Sequence, residues 1–224
     1  MTECTKWQGR AEPAHYPPQP WEYIKDNIYG NVPRDGFFVE VGATTGVAGS
    51  NCHFFESMWG WRGVCIEPNP VAYEKLKKNR SNTINCAIGL ANCTKTFCVC
   101  SGDIGALSCI VEYASEEHMN RIDEEIKKHG GSKEFIDIKV KTLETIIQEQ
   151  EINHINYLSI DVEGAENKVL TSIDFDKVTI DVISAEHNEY DKENNFKELL
   201  AKKGFRFDKK VCADCIFIHN GVLK

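Results

Sequence analysis

The run Phe37-Phe38-Val39-Glu40-Val41, followed by Gly42-Ala43-Thr44-Thr45-Gly46, constrains this chain more than any other segment. An apolar run with little alternation suits a strand buried on both faces, and such strands belong to parallel sheets covered by helices. The glycines then permit a tight turn beyond the strand end, in the crevice where open α/β sheets bind ligands. A second marker, Val64-Cys65-Ile66-Glu67-Pro68, repeats the pattern one helix later and ends in a carboxylate.

The same rhythm runs through most of the 224 residues. Strands are expected at 37–42, 63–67, 83–88, 155–160 and 178–185, with helices at about 50–58, 70–80, 143–149, 165–170 and 194–203 between them. Asn69 is a candidate cap for the helix that Pro70 opens. Residues 205–208 and 213–219 read as a terminal hairpin. The segment 92–133 interrupts the rhythm: 94–100 reads as an extra strand, 102–105 as a loop and 116–129 as a charged surface helix ending at Gly130-Gly131. It suits either a substrate lid or a plain surface insertion. Residues 1–35, with Pro13, Pro17, Pro18 and Pro20, form a separate N-terminal arm that Trp7, Tyr16 and Trp21 are placed to fasten to the 36–224 domain.

Ten cysteines without a regular framework, several inside apolar runs, read as buried free thiols in a reducing, cytoplasmic setting. Cys212-Ala213-Asp214-Cys215 has half of a zinc-site spacing and no second pair. No apolar run reaches membrane-spanning length, and no basic-then-apolar leader opens the sequence. With 26 Lys and Arg against 34 Asp and Glu, a formal charge of -8, general nucleic-acid binding is not expected.

The glycine turn lacks the Gly-x-Gly-x-x-Gly pattern, and no Gly-Lys-Ser/Thr follows it, which favours a nucleoside without phosphates over a pyrophosphate. Glu67 suits a ribose diol, because a carboxylate accepts two hydrogen bonds at once. Glu40 in its apolar run needs a partner, either a cation such as a cofactor ammonium or nearby backbone N–H groups. Ala43, Pro68, Ser50 and Asn51 flank these turns as further cofactor-binding candidates, although Ser50 and Asn51 also suit a helix cap. Asp103 and Ser108 in the insertion are candidates for the adenine or acceptor end.

In Asp161-Val162-Glu163-Gly164-Ala165-Glu166, Asp161 ends a central strand and points into the crevice, whereas Glu163 and Glu166 also suit a helix start. Asp161, Glu186 and His187 form a candidate set for a hard divalent cation such as magnesium or manganese. Without a metal, His187 or Asp161 is the candidate general base. The other histidines, His53 and His118 among them, lack comparable company.

The segments FFVEVGATTGVAGSN, WRGVCIEPNPVAYEKLKKNR, NCAIG and INYLSIDVEGAENKVL together resemble the FkbM-type family of S-adenosylmethionine-dependent methyltransferases over roughly residues 36–190. The resemblance implies a Rossmann-like class I methyltransferase fold, with a seven-stranded, mostly parallel sheet ending in an antiparallel strand. It implies S-adenosylmethionine as cofactor, with Glu40, Gly42, Gly46 and Glu67 around it, and Asp161, Glu163 and Glu166 as the cluster after the fourth strand. It also implies O-methylation of a sugar or glycan hydroxyl, or of a small secondary metabolite. A nicotinamide-dependent oxidoreductase and a non-enzymatic cofactor-fold binding module are the rival classes. Oligomeric state is not legible.

Overall fold

The computed structural model describes residues 19–30, 35–187 and 196–222. Most of the N-terminal arm therefore lies outside the described residues, Trp7 and Tyr16 included. What is described of the arm is a short helix α1 (Pro20–Tyr23) continued by a π-helical turn over Ile24–Ile28. Trp21 stacks on Phe54 with ring centroids 4.5 Å apart, so it does fasten this segment to the body.

The alternation then unfolds as the sequence suggests. In chain order it runs β1 (Phe37–Val41), α2 (His53–Trp59), β2 (Arg62–Ile66), α3 (Pro70–Asn79), β3 (Thr83–Ile84), β4 (Ala87–Ile88), β5 (Cys93–Cys100), a 3-10 turn over Gly102–Leu107, and β6 (Cys109–Ile110). It continues with α4 (Glu116–His129), β7 (Lys133–Lys141), α5 (Leu143–Glu149), β8 (His154–Ile160), α6 (Glu166–Thr171), β9 (Thr179–Glu186), α7 (Phe196–Lys202), β10 (Phe205–Val211) and β11 (Asp214–His219).

The principal sheet has seven strands in the order β10-β11-β9-β8-β1-β2-β3. Strands β3, β2, β1, β8 and β9 are mutually parallel, while β11 runs antiparallel to β9 and pairs with β10 as the expected terminal hairpin. This is the Rossmann-like, mostly parallel arrangement. Its central strands are buried on both faces: Val39, Val64, Leu158, Ile160 and Ile183 are fully covered. One face packs against α5, α6 and α7 through Ile146, Val169 and Leu200; the other packs against Phe55, Trp61 and Leu76. Each fully buried aliphatic side chain contributes about 1.5–3 kcal/mol relative to exposure, so these strands are the rigid base of whatever sits at their ends.

Three expectations are corrected. The single strand foreseen over 83–88 divides, because Asn85 turns its amide onto the carbonyls of Glu67 and Pro68 at 2.8 and 3.2 Å. The chain thereby leaves the principal sheet after Ile84, and Ala87–Ile88 joins a second, four-stranded sheet of order β4-β7-β5-β6. The 92–133 insertion is thus the greater part of a folded layer with its own buried cluster, including Cys98, Leu107, Cys109 and Ile122. The layer also extends past residue 133, since β7 pairs along the whole of β5. Finally, among the described residues seven of eight free thiols are buried, as expected, but Cys93 is exposed and Cys212 is disulfide-bonded. That bond removes Cys212 from any zinc pair with the buried Cys215, and it weakens the inference of a uniformly reducing setting. No helix among the described residues is long and apolar enough to cross a membrane.

Candidate active site

Register brings three strand ends together. Val41 pairs with Ile66 on one side and Ile160 on the other, so the next residues, Gly42, Glu67 and Asp161, leave the sheet side by side. The N–H of Gly42 donates to Ile66 O at 2.9 Å, and the N–H of Asp161 donates to Val41 O at 3.0 Å. A Cβ on Gly42 would lie 1.8 Å from the Asp161 carbonyl oxygen, and its φ is +87°. Glycine is required there by both the left-handed backbone and the close strand. Gly49, at φ +76°, has nothing within 4 Å of its notional Cβ and provides a control. Gly42→Ala should cost about 1–3 kcal/mol from backbone strain alone, with the collision added, whereas Gly49→Ala should cost only the strain. Urea midpoints measure both, and equal losses would show that the Asp161 contact is immaterial.

Glu67 is 5% exposed and is held from two directions. The Thr44 N–H donates to Oε2 at 2.7 Å, and the Asn69 N–H donates to Oε1 at 2.8 Å. Each oxygen keeps a lone pair, so the carboxylate still has two acceptor positions for a diol. Burial pushes the Glu67 carboxyl up to about 7, against these two donors, which lower it. Thr44 itself is held at φ +48°, an uncommon conformation for a residue with a side chain, and this directs its N–H at Glu67.

A cavity of about 580 Å³ opens over these ends, within the size range of cofactor pockets. Gly42, Glu67, Pro68, Asp103, Ser108 and Asp161 line it, so these six candidates are brought together. The insertion supplies its outer wall through Phe97, Cys100 and Ile110. Asn69 joins wall to floor: its Oδ1 accepts the Val71 N–H as the expected helix cap, while its amide donates to Ser108 Oγ at 2.9 Å and Cys100 O at 3.2 Å. Ser108 Oγ also accepts the Cys100 N–H and donates to Gly105 O, so it shapes the wall and has no donor left for a ligand.

Glu163 lines the same cavity, at φ +56°. The insertion helix α4 presents two residues one turn apart to it, His118 Nδ1 at 3.8 Å and Arg121 Nη1 at 3.6 Å. Helical spacing of three places both on one face, a signal the sequence contained. Glu166 does act as a helix-start acid: its Oε1 accepts the N–H groups of Val162 and Gly164, and burial pushes its carboxyl up to about 7.

The remaining candidates do not line this cavity. Glu40 is buried behind the turn, where it accepts from Ser50 Oγ at 2.8 Å and the Cys52 N–H at 3.2 Å and meets Arg80 Nη1 at 3.5 Å. Its cationic partner is thus a side chain from the end of α3. Ala43 is fully buried in the core, and Gly46 faces Leu76 and Arg80 beneath the turn. Ser50 Oγ also accepts the His53 N–H, although the N-cap of α2 is Cys52, and the Asn51 amide donates to Ser159 Oγ. Ser50 and Asn51 instead line a small cleft of about 30 Å³ together with Trp21, Asp214 and Asp161.

The expected metal set changes membership. Carboxylate oxygens of Asp161, Glu163 and Glu186 lie within 4.8 Å of one another, an all-oxygen set that fits a hard divalent cation. His187 lies just past the end of β9 and is not part of this set; its ring packs on Phe196 with centroids 5.5 Å apart, and its buried Nδ1 has no hydrogen-bond partner among the described residues.

Comparison with known proteins places the chain in a family. Over 179 residues the chain is 26% identical to Methyltransferase sdnD of Sordaria araneosa, covering 68% of this chain and 67% of that protein. The crystal structure of Methyltransferase FkbM from Methylobacillus flagellatus KT overlays 91% of this chain on 48% of its own, at 13% identity and a TM-score of 0.49. This chain thus spans about half of that structure. Precorrin-6y C5,15-methyltransferase from Geobacter metallireducens GS-15 overlays at 10% identity and a TM-score of 0.42, over 84% of this chain and 82% of that one. Overlays this loose support no residue-by-residue transfer. The sequence model of the methyltransferase FkbM domain matches residues 40–207, a span holding both Glu67 and Asp161, and the chain belongs to the FkbM methyltransferase family.

Proposed function

We propose that the protein is an S-adenosylmethionine-dependent O-methyltransferase acting on a sugar or glycan hydroxyl. One observation carries the reading: Glu67, with its two free acceptor positions, and Asp161 line one cavity that has no pyrophosphate-binding glycine pattern. Glu67 would hold the ribose diol, and Thr44 and Asn69 keep its carboxylate aimed. Once bound there, the donor would supply a sulfonium methyl group for the acceptor oxygen, the carbon–sulfur bond being the one broken and a neutral thioether the leaving group. Asp161 takes the hydroxyl proton, and holding the hydroxyl in line supplies much of the acceleration.

The acceptor side is supported by the smaller cleft. It shares Asp161 with the cofactor cavity, and at about 30 Å³ it has room for one hydroxyl-sized group. Asn51 and Asp214 offer polar groups beside the Trp21 ring, a lining suited to one hydroxyl of a sugar whose ring stays outside the cleft.

A metal-assisted variant rests on the Asp161, Glu163 and Glu186 set, which would hold a divalent cation and lower the hydroxyl pKa. Arg121 already faces Glu163 as a counter-charge, which favours the metal-free route. Turnover is therefore expected to survive EDTA. Loss of activity that magnesium or manganese restores would assign the carboxylates to a cation. The deciding assay incubates the protein with methyl-labelled S-adenosylmethionine and a panel of sugars, with and without these metals. Label on a sugar oxygen supports the reading; label confined to small non-sugar alcohols moves the acceptor class, and no binding of the donor defeats the proposal.

A further inference from the structure

We propose that Arg80 is the positioning residue of the glycine turn, and that Glu40 serves as its buried counter-charge in place of a cofactor ammonium. This rests on the donor-binding reading above. The Arg80 side chain is 1% exposed and follows the last residue of α3, yet it reaches under the turn after β1. Its Nη1 donates to Gly46 O at 2.8 Å and to Ser50 Oγ at 3.0 Å, and lies 3.5 Å from Glu40 Oε2. Its Nε pairs with Glu56 on α2, and its guanidinium lies over the Phe38 ring at 5.2 Å. One planar cation thus links α3, the turn, β1 and α2, using the fixed fork geometry that lysine lacks.

Gly46 is explained by the same contact. A Cβ there would fall 2.6 Å from Arg80 Cγ and 2.5 Å from Leu76 Cδ1, at φ +79°. Arg80 therefore presses directly against the underside of a turn whose upper side, Gly42, Thr44, Thr45, Ala48 and Gly49, lines the cavity. With Glu40 already accepting from Ser50 Oγ and the Cys52 N–H beside Arg80, and absent from the cavity wall, its charge is matched from within the protein. The turn is then preorganised before any ligand arrives, and cofactor affinity depends on a residue that never touches the cofactor.

The test measures S-adenosylhomocysteine affinity by calorimetry alongside thermal melting. Arg80→Met should weaken binding by about tenfold or more, since the Gly46 carbonyl and Glu40 both lose a buried donor. Arg80→Lys, which keeps the charge, should recover part of the loss. Glu56→Gln removes only the outer pair and should lower the melting temperature while leaving the dissociation constant within about twofold. If Glu40 instead bound the ligand ammonium, Arg80→Met would free that carboxylate and binding would tighten or hold. Glu40→Gln gives a second reading should Arg80→Met fail to fold: it should weaken S-adenosylhomocysteine and 5′-methylthioadenosine, which lacks the ammonium, by the same factor. Unchanged affinity in Arg80→Met, or a loss in Glu40→Gln confined to S-adenosylhomocysteine, overturns the assignment. Failure of the wild-type protein to bind S-adenosylhomocysteine at all would instead strike the donor reading, and this proposal with it.

Discussion

Asp161→Asn should lower methyl transfer by about 10²–10⁴-fold, the usual worth of a positioned general base, while changing S-adenosylhomocysteine affinity only a few-fold. The substitution is nearly isosteric, so the strand end keeps its shape. Its backbone is held independently of the carboxylate: the N–H bonds Val41 O, and the carbonyl faces Gly42. The substitution removes the negative charge and the proton acceptor while keeping that backbone. Because Asp161 lines both the cofactor cavity and the small cleft, the defect should fall on kcat and not on donor binding. Single-turnover rates against calorimetric dissociation constants separate the two. A variant that lost donor affinity and turnover in equal measure would show that Asp161 is a cofactor ligand instead.

Glu67→Ala should do the reverse, raising the S-adenosylhomocysteine dissociation constant by about 10–100-fold through loss of two charge-assisted hydrogen bonds. The raised carboxyl adds a pH signature. A diol donates to the ionised form, so affinity should improve as pH rises through about 7, the value to which burial pushes Glu67. Folding stability runs the other way. Between the ordinary carboxylate range and about 7 the folded protein holds a proton that the unfolded chain has released, so this site's contribution to stability declines across that window as pH rises. Glu166 also titrates near 7 and adds to the stability trend, but it does not line the cavity. Glu67→Gln should therefore flatten the pH dependence of binding and only part of that of stability. A binding curve that kept its rise near 7 in Glu67→Gln would assign the titration elsewhere.

The sequence disclosed the strands and the ends that matter, because both follow from short-range rules. An apolar run must be covered, a glycine marks a left-handed turn, and an acid at a strand end faces the crevice. Glu67 and Asp161 were legible on those grounds, as were the cap at Asn69 and the hairpin of β10 and β11. The residues whose surroundings were not legible depend on partners far along the chain. Glu40 needed a cation, but its identity as Arg80 follows only once α3 folds back beneath the turn. His187 looked equivalent to Glu186 in the sequence, but its ring packs on Phe196. Cys212 resembled its neighbouring thiols, and no local pattern marks it as disulfide-bonded. The insertion was visible as a break in rhythm, yet its pairing of β5 with β7 across the α4 helix is non-local. His118 and Arg121 were missed for the same reason: their shared helix face was readable, but what it faces was not.

The most direct measurement is a crystal structure of the protein soaked with S-adenosylhomocysteine. The expected density has the ribose hydroxyls on the Glu67 carboxylate, the sulfur turned toward Asp161, and Arg80 still bonded to the Gly46 carbonyl. Ligand density outside this cavity, or a ribose pointing away from Glu67, would contradict the assignment of these strand ends to the methyl donor.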